Sequence, residues 1–400
     1  MPLNEAAQLV MSALNSPSDN RTLRFTENGT FHISIFEDLH FAEDDDKDAK
    51  TQKLMTQILS QEETQPQLVV LNGDLISGEA TKADNADQYL DEVVAPLVSA
   101  GKLWASTYGN HDSNPNLDPL KDIYEKEQSY SNSLTKRMVS GSKAGITNYY
   151  LPVYPQKTSE SIPALILWFF DSKGGNYAKN RGDNRSGARG DWAIDWFHEA
   201  KANLTTEYGR VIPSIAFYHI PVHAMFAFQK KGVDLNKTPG INGETVVSQG
   251  SGDTNYTGQD SRFMRALLDT KGLMATFSGH DHQDDWCFKW DGHNMTGDGI
   301  HMCYGRRTGY GGYGDAVRGA RQILLNQENF KHELQTWVRL EDGNISAPIT
   351  LNSTYGKDQY GKVFQKEVKT SAGPSIYDQS ALLLLVYLCI SAFSISYFRH

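Results

Sequence analysis

Five short segments of the chain combine aspartate, asparagine and histidine at close spacing. Their side chains offer carboxylate oxygens, an amide oxygen and imidazole nitrogens, and none of the segments contains a cysteine. Oxygen and imidazole ligands without thiolate suit Zn, Mn or Fe, and such an ion activates a bound water molecule. The segments are, in order, Asp38-Leu39-His40, Gly73-Asp74, Gly109-Asn110-His111-Asp112, His219, and Gly279-His280-Asp281-His282.

Each of these segments follows a short apolar run of the length of a β-strand. Residues 31–36 alternate like a half-buried strand, and the other four runs are 68–71, 103–107, 211–218 and 273–277. Open α/β sheets bind ligands outside the carboxyl ends of their strands. We therefore expect the five segments to bring their side chains to the same edge of a sheet.

Between these runs, residues 50–63, 89–102 and 192–207 have apolar residues at the spacing of a helix, and a sixth apolar run lies at 164–170. Gly101 is a plausible cap at the end of the second of these stretches. Alternation of strands and helices is typical of the α/β class, with a largely parallel sheet covered by helices.

The ordered motifs resemble those of the calcineurin-like metallophosphoesterases, whose pattern is D-x-H, G-D, G-N-H-[DE], H and G-H-x-H. The resemblance covers roughly residues 24–340. It is strongest to the fungal and plant branch often called purple-acid-phosphatase-like, which includes a yeast dosage-dependent cell-cycle regulator. The segments that carry this closer match are FEDLHFAE, VLNGDLISGE, GNHD, FFDSKGG, YHIP, GHDH and CYGRRTGYGGYG.

The resemblance implies a four-layer α/β/β/α sandwich, two packed sheets flanked by helices, with two divalent or trivalent ions of Fe, Mn or Zn. His111 would lie over the leaving group or the scissile phosphate without binding metal. The implied ligands are Asp38, His40 and His282 for one ion, Asn110, His219 and His280 for the other, and Asp74 bridging both.

The implied activity is hydrolysis of phosphate monoesters by a hydroxide held between the two ions, with a phosphate ester or a phosphoprotein as substrate. A phosphodiesterase with the same centre is an alternative. A non-catalytic, membrane-anchored binding ectodomain is another, although the complete ligand set argues against it.

One position departs from true purple acid phosphatases, which carry a tyrosine three residues after the bridging aspartate and lack the histidine of D-x-H. Here Ser77 occupies that place and His40 is present. We therefore expect no tyrosinate-to-iron colour, and activity as an acid phosphatase does not follow from the resemblance.

Substrate contacts are harder to predict. Arg306 and Arg307 are candidates because guanidinium groups pair with phosphate, and solvated loop charges are the alternative. His223 either lines the pocket or packs in the core. The glycine-rich loop 309–314 either frames the site or forms turns.

The charge balance argues against a nucleic-acid partner. The net charge is −10 and the pI is about 5.6. No Lys/Arg run with interleaved aromatic residues is present, so there is no positive field to attract a polyanion.

Two features point to passage through a secretory lumen. Nine Asn-x-Ser/Thr sequons occur, against roughly three expected by chance. Cys287 and Cys303 flank a segment rich in Gly, Asp and Asn, and we expect them to form a disulfide in an oxidising compartment, with two buried thiols as the alternative. Cys389 has no evident partner.

The two ends suggest a membrane-anchored protein. Residues 1–23 make a poor signal peptide, 341–380 read as a polar extension, and 381–398 form an uncharged stretch long enough to span a bilayer. Arg399 and His400 favour a cytoplasmic C-terminus and a lumenal or extracellular catalytic domain. A lipid-anchor signal, a tail-anchored protein facing the cytosol, and a truncated gene start remain alternatives.

Overall fold

All six apolar runs recognised in the sequence form strands. The structure is a computed structural model that describes residues 21–81, 85–140, 144–171, 191–249, 260–291 and 299–361. The strands are β1 Thr30–Phe36, β2 Leu68–Asn72, β3 Trp104–Thr107, β4 Tyr149–Val153, β5 Leu165–Phe170, β6 Ser214–Tyr218, β7 Leu273–Ser278, β8 Cys287–Lys289, β9 His301–Tyr304, β10 Gly319–Asn326, β11 Leu334–Leu340 and β12 Ile345–Leu351.

The three predicted helices also form, and two shorter ones join them. The helices are α1 Asp45–Gln61, α2 Ala86–Ser99, α3 Asp191–Tyr208, α4 His223–Lys231 and α5 Ser261–Leu268, and a π-helical turn spans Pro119–Glu125. Helix α1 begins where the Asp44 side chain accepts a hydrogen bond from the Lys47 amide, which satisfies one of its open N–H groups. After α2, Gly101 adopts φ +62°, the left-handed conformation expected of a helix-ending glycine.

The strands build two six-stranded mixed sheets. The first has the order β12-β11-β10-β1-β2-β3 and the second the order β4-β5-β6-β7-β9-β8. The parallel pairs are β1–β2 and β2–β3 at one end of the first sheet, and β5–β6, β6–β7 and β7–β9 in the middle of the second. The expectation of a largely parallel sheet thus holds around the motif-bearing strands, while hairpin-connected antiparallel strands extend the first sheet on one side.

Three apolar clusters separate four layers, which is the α/β/β/α arrangement expected from the resemblance. Ile33 of β1 and Phe169 of β5 belong to the cluster between the sheets. Met55 of α1 packs with Leu71 of β2 on the outer face of the first sheet. Phe197 of α3 packs with Trp168 of β5 on the outer face of the second. Successive side chains of a strand point to opposite faces of its sheet, and the central strands are buried at nearly every position. Each sheet therefore buries both of its faces.

The folded region extends beyond both predicted boundaries. Strand β12 pairs with β11 although it lies in the stretch 341–380 expected to be a polar extension. Its polar residues mask the strand pattern because an edge strand keeps part of its surface in water. Tyr355 beyond it and Leu23 before residue 24 are both buried in the core between the sheets.

A disulfide joins Cys287 and Cys303, which face each other across the antiparallel pair β8–β9. Their Cα atoms are 4.0 Å apart and both residues are buried. Within the described part of the chain, no helix is long and apolar enough to cross a membrane. The expected anchor at 381–398, like Cys389, lies outside the described residues.

Candidate metal centre

Both sheets direct the carboxyl ends of their parallel strands towards one site. Loops that follow β1, β2 and β3 in the first sheet, and β6 and β7 in the second, carry the five motifs. The five motifs therefore meet at one edge, as their positions after the strands predict, but two packed sheets form that edge instead of one. Asn110 lies between Gly109 and His111, whose backbones adjoin Asp74. The other residues that converge there are Asp38, His40, Asp74, His219, His280 and His282.

One group of donors consists of Asp38, His40 and His282, whose ligand atoms all lie within 4.8 Å of one another. The Nε2 atoms of the two histidines are 3.1 Å apart, and His282 Nε2 lies 3.6 Å from Asp38 Oδ1. All three side chains are buried. Two imidazole nitrogens and a carboxylate directed at one point are a donor set that a transition-metal ion binds.

A second group consists of Asp74, His219 and His280, again with ligand atoms within 4.8 Å. His219 Nε2 lies 2.9 Å from Asp74 Oδ2. The chain beside Asn110 touches the same carboxylate, because the His111 amide donates to Asp74 Oδ1 at 2.8 Å. The Asn110 amide oxygen is buried without a hydrogen-bond partner among the described residues, so its lone pairs are available to a cation.

Asp74 is shared by the two groups. Its Oδ2 atom lies 2.9 Å from His219 Nε2 and 3.9 Å from His40 Nε2. A carboxylate with histidines of both groups on either side is the geometry that a ligand bridging two ions requires.

The protonation states of these groups suit cation binding. Burial raises the pKa of the Asp38 carboxyl, but His282 and His219 outweigh it and bring the pKa to about 2. Burial and the neighbouring His282 hold the pKa of His40 well below its usual range. Burial and His219 lower the pKa of His280 to about 3. Charged carboxylates beside neutral imidazoles leave the donor lone pairs free near neutral pH.

The pKa of His219 shifts in the opposite direction. Burial alone would lower its pKa, but the carboxylates of Asp74 and Asp38 raise it to about 10. The same negative potential that draws a proton to His219 attracts a metal cation, so the residues fit the group that the family binds.

Hydrogen bonds from the opposite ring nitrogen orient three of the histidines. His219 Nδ1 lies 2.9 Å from the Asn72 carbonyl oxygen, and His282 Nδ1 lies 2.9 Å from the Tyr313 carbonyl oxygen. A carbonyl can only accept, so both rings carry the proton on Nδ1 and present Nε2 to the site.

Ser77 holds the third histidine. Its Oγ atom lies 2.9 Å from His40 Nδ1 and donates to Glu43 Oε1 at 2.7 Å. The position where purple acid phosphatases carry a tyrosine thus supports the extra histidine of this chain. Outer partners of this kind fix the tautomer and orientation of a ligand.

The ligand loops have unusual backbone conformations. Asp38, His40, Asp74 and His280 all have φ between 49° and 80°, in the left-handed region that non-glycine residues rarely adopt. The last residue of the Gly-Asn-His-Asp motif stabilises this arrangement, because Asp112 accepts hydrogen bonds from three backbone amides. The donors are Leu75 and Ile76 at Oδ1 and Gly109 at Oδ2.

His111 lies beside the first donor group and is partly exposed. Its ring centroid is 4.8 Å from that of His40, and its Nδ1 atom lies 2.5 Å from Glu79 Oε1. Burial lowers the pKa of His111, but Asp74 and Glu79 raise it to about 9. Its ligand atom lies within 4.8 Å of those of His40 and Asp74, so the geometry brings it beside the donors, and the resemblance is what gives it a role other than metal binding.

The structure does not support substrate binding by the two arginines. Arg306 is buried and donates to Asp285 Oδ2 at 2.6 Å and to the Val317 carbonyl. Arg307 is buried and donates to carbonyl oxygens of the glycine-rich loop, including that of Gly314 at 3.0 Å. These bonds engage the whole Arg306 guanidinium and the terminal nitrogens of Arg307, whose Nε atom has no hydrogen-bond partner among the described residues. The geometry therefore favours an internal role for both over the predicted contact with phosphate.

His223 is buried at the start of α4, where its ring packs against Phe226 and its Nδ1 atom lies 3.4 Å from Ser248 Oγ. The structure therefore favours packing of His223 in the core over a position in the lining of the pocket.

The residues that surround the ligands could not be predicted from the sequence. Glu79 contacts His111, Glu43 contacts Ser77 and Tyr313 contacts His282, but the spacing of these three residues carries no signal of its own. Asp112 lies within the Gly-Asn-His-Asp motif, but its bonds to backbone amides depend on tertiary packing.

Comparison with known proteins supports what this geometry shows. The sequence pattern of the family described as calcineurin-like phosphoesterase matches residues 32–284, which is more than half of the chain. The chain belongs to the calcineurin-like phosphoesterase family. It is therefore a phosphoric ester hydrolase, and its seven converging donors are candidate ligands of the family's metal centre.

Two relatives lie in the branch recognised from the motifs. This phosphoesterase is 26% identical to "Probable inactive purple acid phosphatase 29" of Arabidopsis thaliana, over 85% of this chain and 90% of the relative. It is 27% identical to "Phosphatase DCR2" of Saccharomyces cerevisiae, over 80% of this chain and 55% of the yeast protein.

The fold is also that of solved phosphatases. The crystal structure of a dimetal phosphatase from Danio rerio superimposes with a TM-score of 0.51 at 12% identity, covering 80% of this chain and 98% of that one. At this identity the likeness shows the fold alone.

Proposed function

We propose that this phosphoesterase hydrolyses phosphate monoesters at a centre of two metal ions, Fe, Mn or Zn. The observation that carries the proposal is the position of Asp74 between two groups of buried donors. Asp38, His40 and His282 would hold one ion, and Asn110, His219 and His280 the other. Bound ions would acidify a water molecule and neutralise the charge that builds on the phosphoryl oxygens.

His111 supplies a proton in this scheme. With a pKa of about 9 it is protonated near neutral pH, and Glu79 holds its Nδ1 atom. Nε2–H is the second donor of the protonated ring and is the one assigned to the leaving oxygen. As the water oxygen bonds to phosphorus and the ester P–O bond breaks, the leaving oxygen takes that proton and departs as the alcohol.

The test compares 4-nitrophenyl phosphate with bis(4-nitrophenyl) phosphate, using protein stripped of metal and reloaded separately with Fe, Mn and Zn. We expect the monoester to be turned over faster and Asp74→Asn to lose metal and activity together. Faster turnover of the diester would favour the phosphodiesterase alternative. Absence of turnover with two ions bound would favour a non-catalytic ectodomain.

We also propose that the catalytic domain faces a secretory lumen or the cell surface, on a chain anchored through 381–398. Among the five sequons in the described residues, Asn28, Asn203, Asn236 and Asn344 are exposed and Asn352 is half-buried, so four of the acceptor side chains are accessible to solvent. Treatment of natively expressed protein with an endoglycosidase should increase its gel mobility. An unchanged mobility, with protease sensitivity in intact microsomes, would support the tail-anchored alternative.

A further inference from the structure

An aromatic side chain lies beside the metal centre with one face open to water. The ring of Tyr313, in the glycine-rich loop 309–314, stacks on the ring of His282 with centroids 4.1 Å apart and an angle of 14°. Tyr313 is nevertheless 51% exposed. Because one face lies against a proposed metal ligand, the exposed surface of the ring is its opposite face and its edge, next to the metal centre.

Hydrogen bonds fix this ring in place. Its hydroxyl donates to Glu244 Oε2 at 2.9 Å, and the other oxygen of Glu244 accepts from the Gln283 amide at 2.7 Å. On the other side of the loop, the Gly312 amide donates to Glu43 Oε2 at 2.7 Å. The aromatic face is therefore preorganised and flanked by two carboxylates.

The carboxylates near this ring differ in their partners. Glu79 pairs with His111, and Lys47 Nζ forms an ion pair with Glu43 Oε2 at 4.0 Å. Glu244 has no basic partner among the described residues and accepts from the Tyr313 hydroxyl and the Gln283 amide. The two metal ions would attract the phosphoryl group, while Glu244 places a negative charge at the hydroxyl end of the Tyr313 ring.

A fixed aromatic face beside a carboxylate without a basic partner is a combination that recognises organic cations. An ammonium group is attracted to the face of an aromatic ring and to nearby carboxylates, and choline recognition depends on such faces. A neutral or anionic leaving group gains nothing from the ring's quadrupole and is repelled, if anionic, by the carboxylates.

We propose that the substrates of this site are phosphate esters whose alcohol carries a cationic ammonium group, with Tyr313 and Glu244 as the residues that select it. The proposal rests on the proposed function, since it concerns the leaving group of the same hydrolysis. It assigns no role to Arg306 or Arg307.

The test compares two esters of equal shape, phosphocholine and 3,3-dimethylbutyl phosphate, which differ in a positive charge. We expect kcat/KM of the metal-loaded wild type to be roughly 3- to 30-fold higher for phosphocholine, the range that a cation–π contact provides. A ratio near one would overturn the inference while leaving the phosphatase function intact. Failure to hydrolyse either ester would count against the proposed function itself.

Variants locate the source of the discrimination. Tyr313→Leu and Glu244→Gln should each lower the ratio towards one, whereas Tyr313→Phe, which keeps the ring, should retain most of it. The matched control is Tyr310→Leu in the same loop, because the ring of Tyr310 lies against the guanidinium of Arg318 and not against His282. An unchanged ratio in Tyr313→Leu would overturn the assignment of this residue.

A binding measurement separates the rim from the metal chemistry. Titration of the whole protein with choline, which has no phosphate, should show saturable binding by calorimetry. Tyr313→Leu should weaken that binding by the same roughly 3- to 30-fold, and Tyr310→Leu should not. Equal affinity of wild type for choline and for neutral 3,3-dimethylbutanol would contradict the inference independently of catalysis.

Discussion

Replacing Gly109 by alanine tests whether Asp74 must lie where the structure places it. A Cβ atom at residue 109 would lie 2.1 Å from Asp74 Oδ1, 2.6 Å from the Asp74 amide nitrogen and 2.7 Å from His219 Cδ2. Real Cβ atoms essentially never approach another heavy atom within 3.0 Å, so the carboxylate oxygen has to retreat by about 1 Å.

That displacement is large for a metal ligand and modest for the fold. Ligand distances are conserved to about ±0.2 Å, so a shift of about 1 Å removes the bridge between the two donor groups. We expect metal binding to weaken by at least the 10- to 100-fold seen when supporting residues are lost, which is about 1.4–2.7 kcal/mol. The stability of the metal-free protein should fall by about 1–3 kcal/mol, as in other overpacked interiors.

The assay is metal content after dialysis against a weak chelator, alongside denaturant unfolding of the metal-free protein. Gly101→Ala is the matched control, since Gly101 has φ +62° and no atom within 4 Å of the new methyl group. It should lose about 1–2 kcal/mol of stability through backbone strain and keep both ions. Full metal occupancy in Gly109→Ala would refute the view that Asp74 bridges the centre from this position.

The remaining predictions address the second layer, the proton donor and a buried carboxyl away from the site. Ser77→Ala removes the partner of His40 Nδ1 and should weaken metal affinity by about 10- to 100-fold, measured by competition with a chelator; unchanged affinity would mean that packing alone orients His40. His111→Ala should keep both ions and lower kcat by about 10²- to 10⁴-fold, with a smaller loss for esters with good leaving groups; loss of an ion would make His111 a ligand. Asp48 is buried and its Oδ1 atom has no hydrogen-bond partner among the described residues; burial raises its pKa to about 6. Because the pKa of Asp48 is raised in the folded state, stability falls as pH rises from about 4 to about 6. Asp48→Asn should therefore add roughly 1–2 kcal/mol at pH 7 and little at pH 4. The control Asp46→Asn, at an exposed position, should change stability by only a few tenths of a kcal/mol. A gain independent of pH in urea unfolding would contradict the assignment.

The candidate metal ligands could be predicted from the sequence because each one follows a strand whose apolar pattern is clear. Asp38 comes two residues after β1, and His219 follows β6 directly. Since parallel strands share a carboxyl edge, order and spacing were enough to bring these residues together. The apolar pattern does not predict β10 to β12, because polar residues interrupt it. In β10 these are the buried Arg321 and Gln322, and in β11 and β12, towards one edge of the sheet, they are residues that keep part of their surface in water.

Side chains whose role depends on tertiary partners could not be read from the sequence. Arg306 has the residue type of a phosphate ligand, yet Asp285, 21 positions earlier, lies 2.6 Å from it in the folded chain. Tyr313 and Glu244 are 69 positions apart and meet only because the loop 309–314 folds over His282. Pairing across such separations is set by packing, and no local pattern encodes it.

The central claim is that two metal ions share Asp74, and anomalous X-ray diffraction from crystals of metal-loaded protein tests it most directly. We predict two anomalous peaks about 3.5–4 Å apart, with Asp74 between them. Asp38, His40 and His282 should coordinate one peak, and Asn110, His219 and His280 the other. A single peak, or a peak with His111 in place of Asn110 among its ligands, would contradict the assignment.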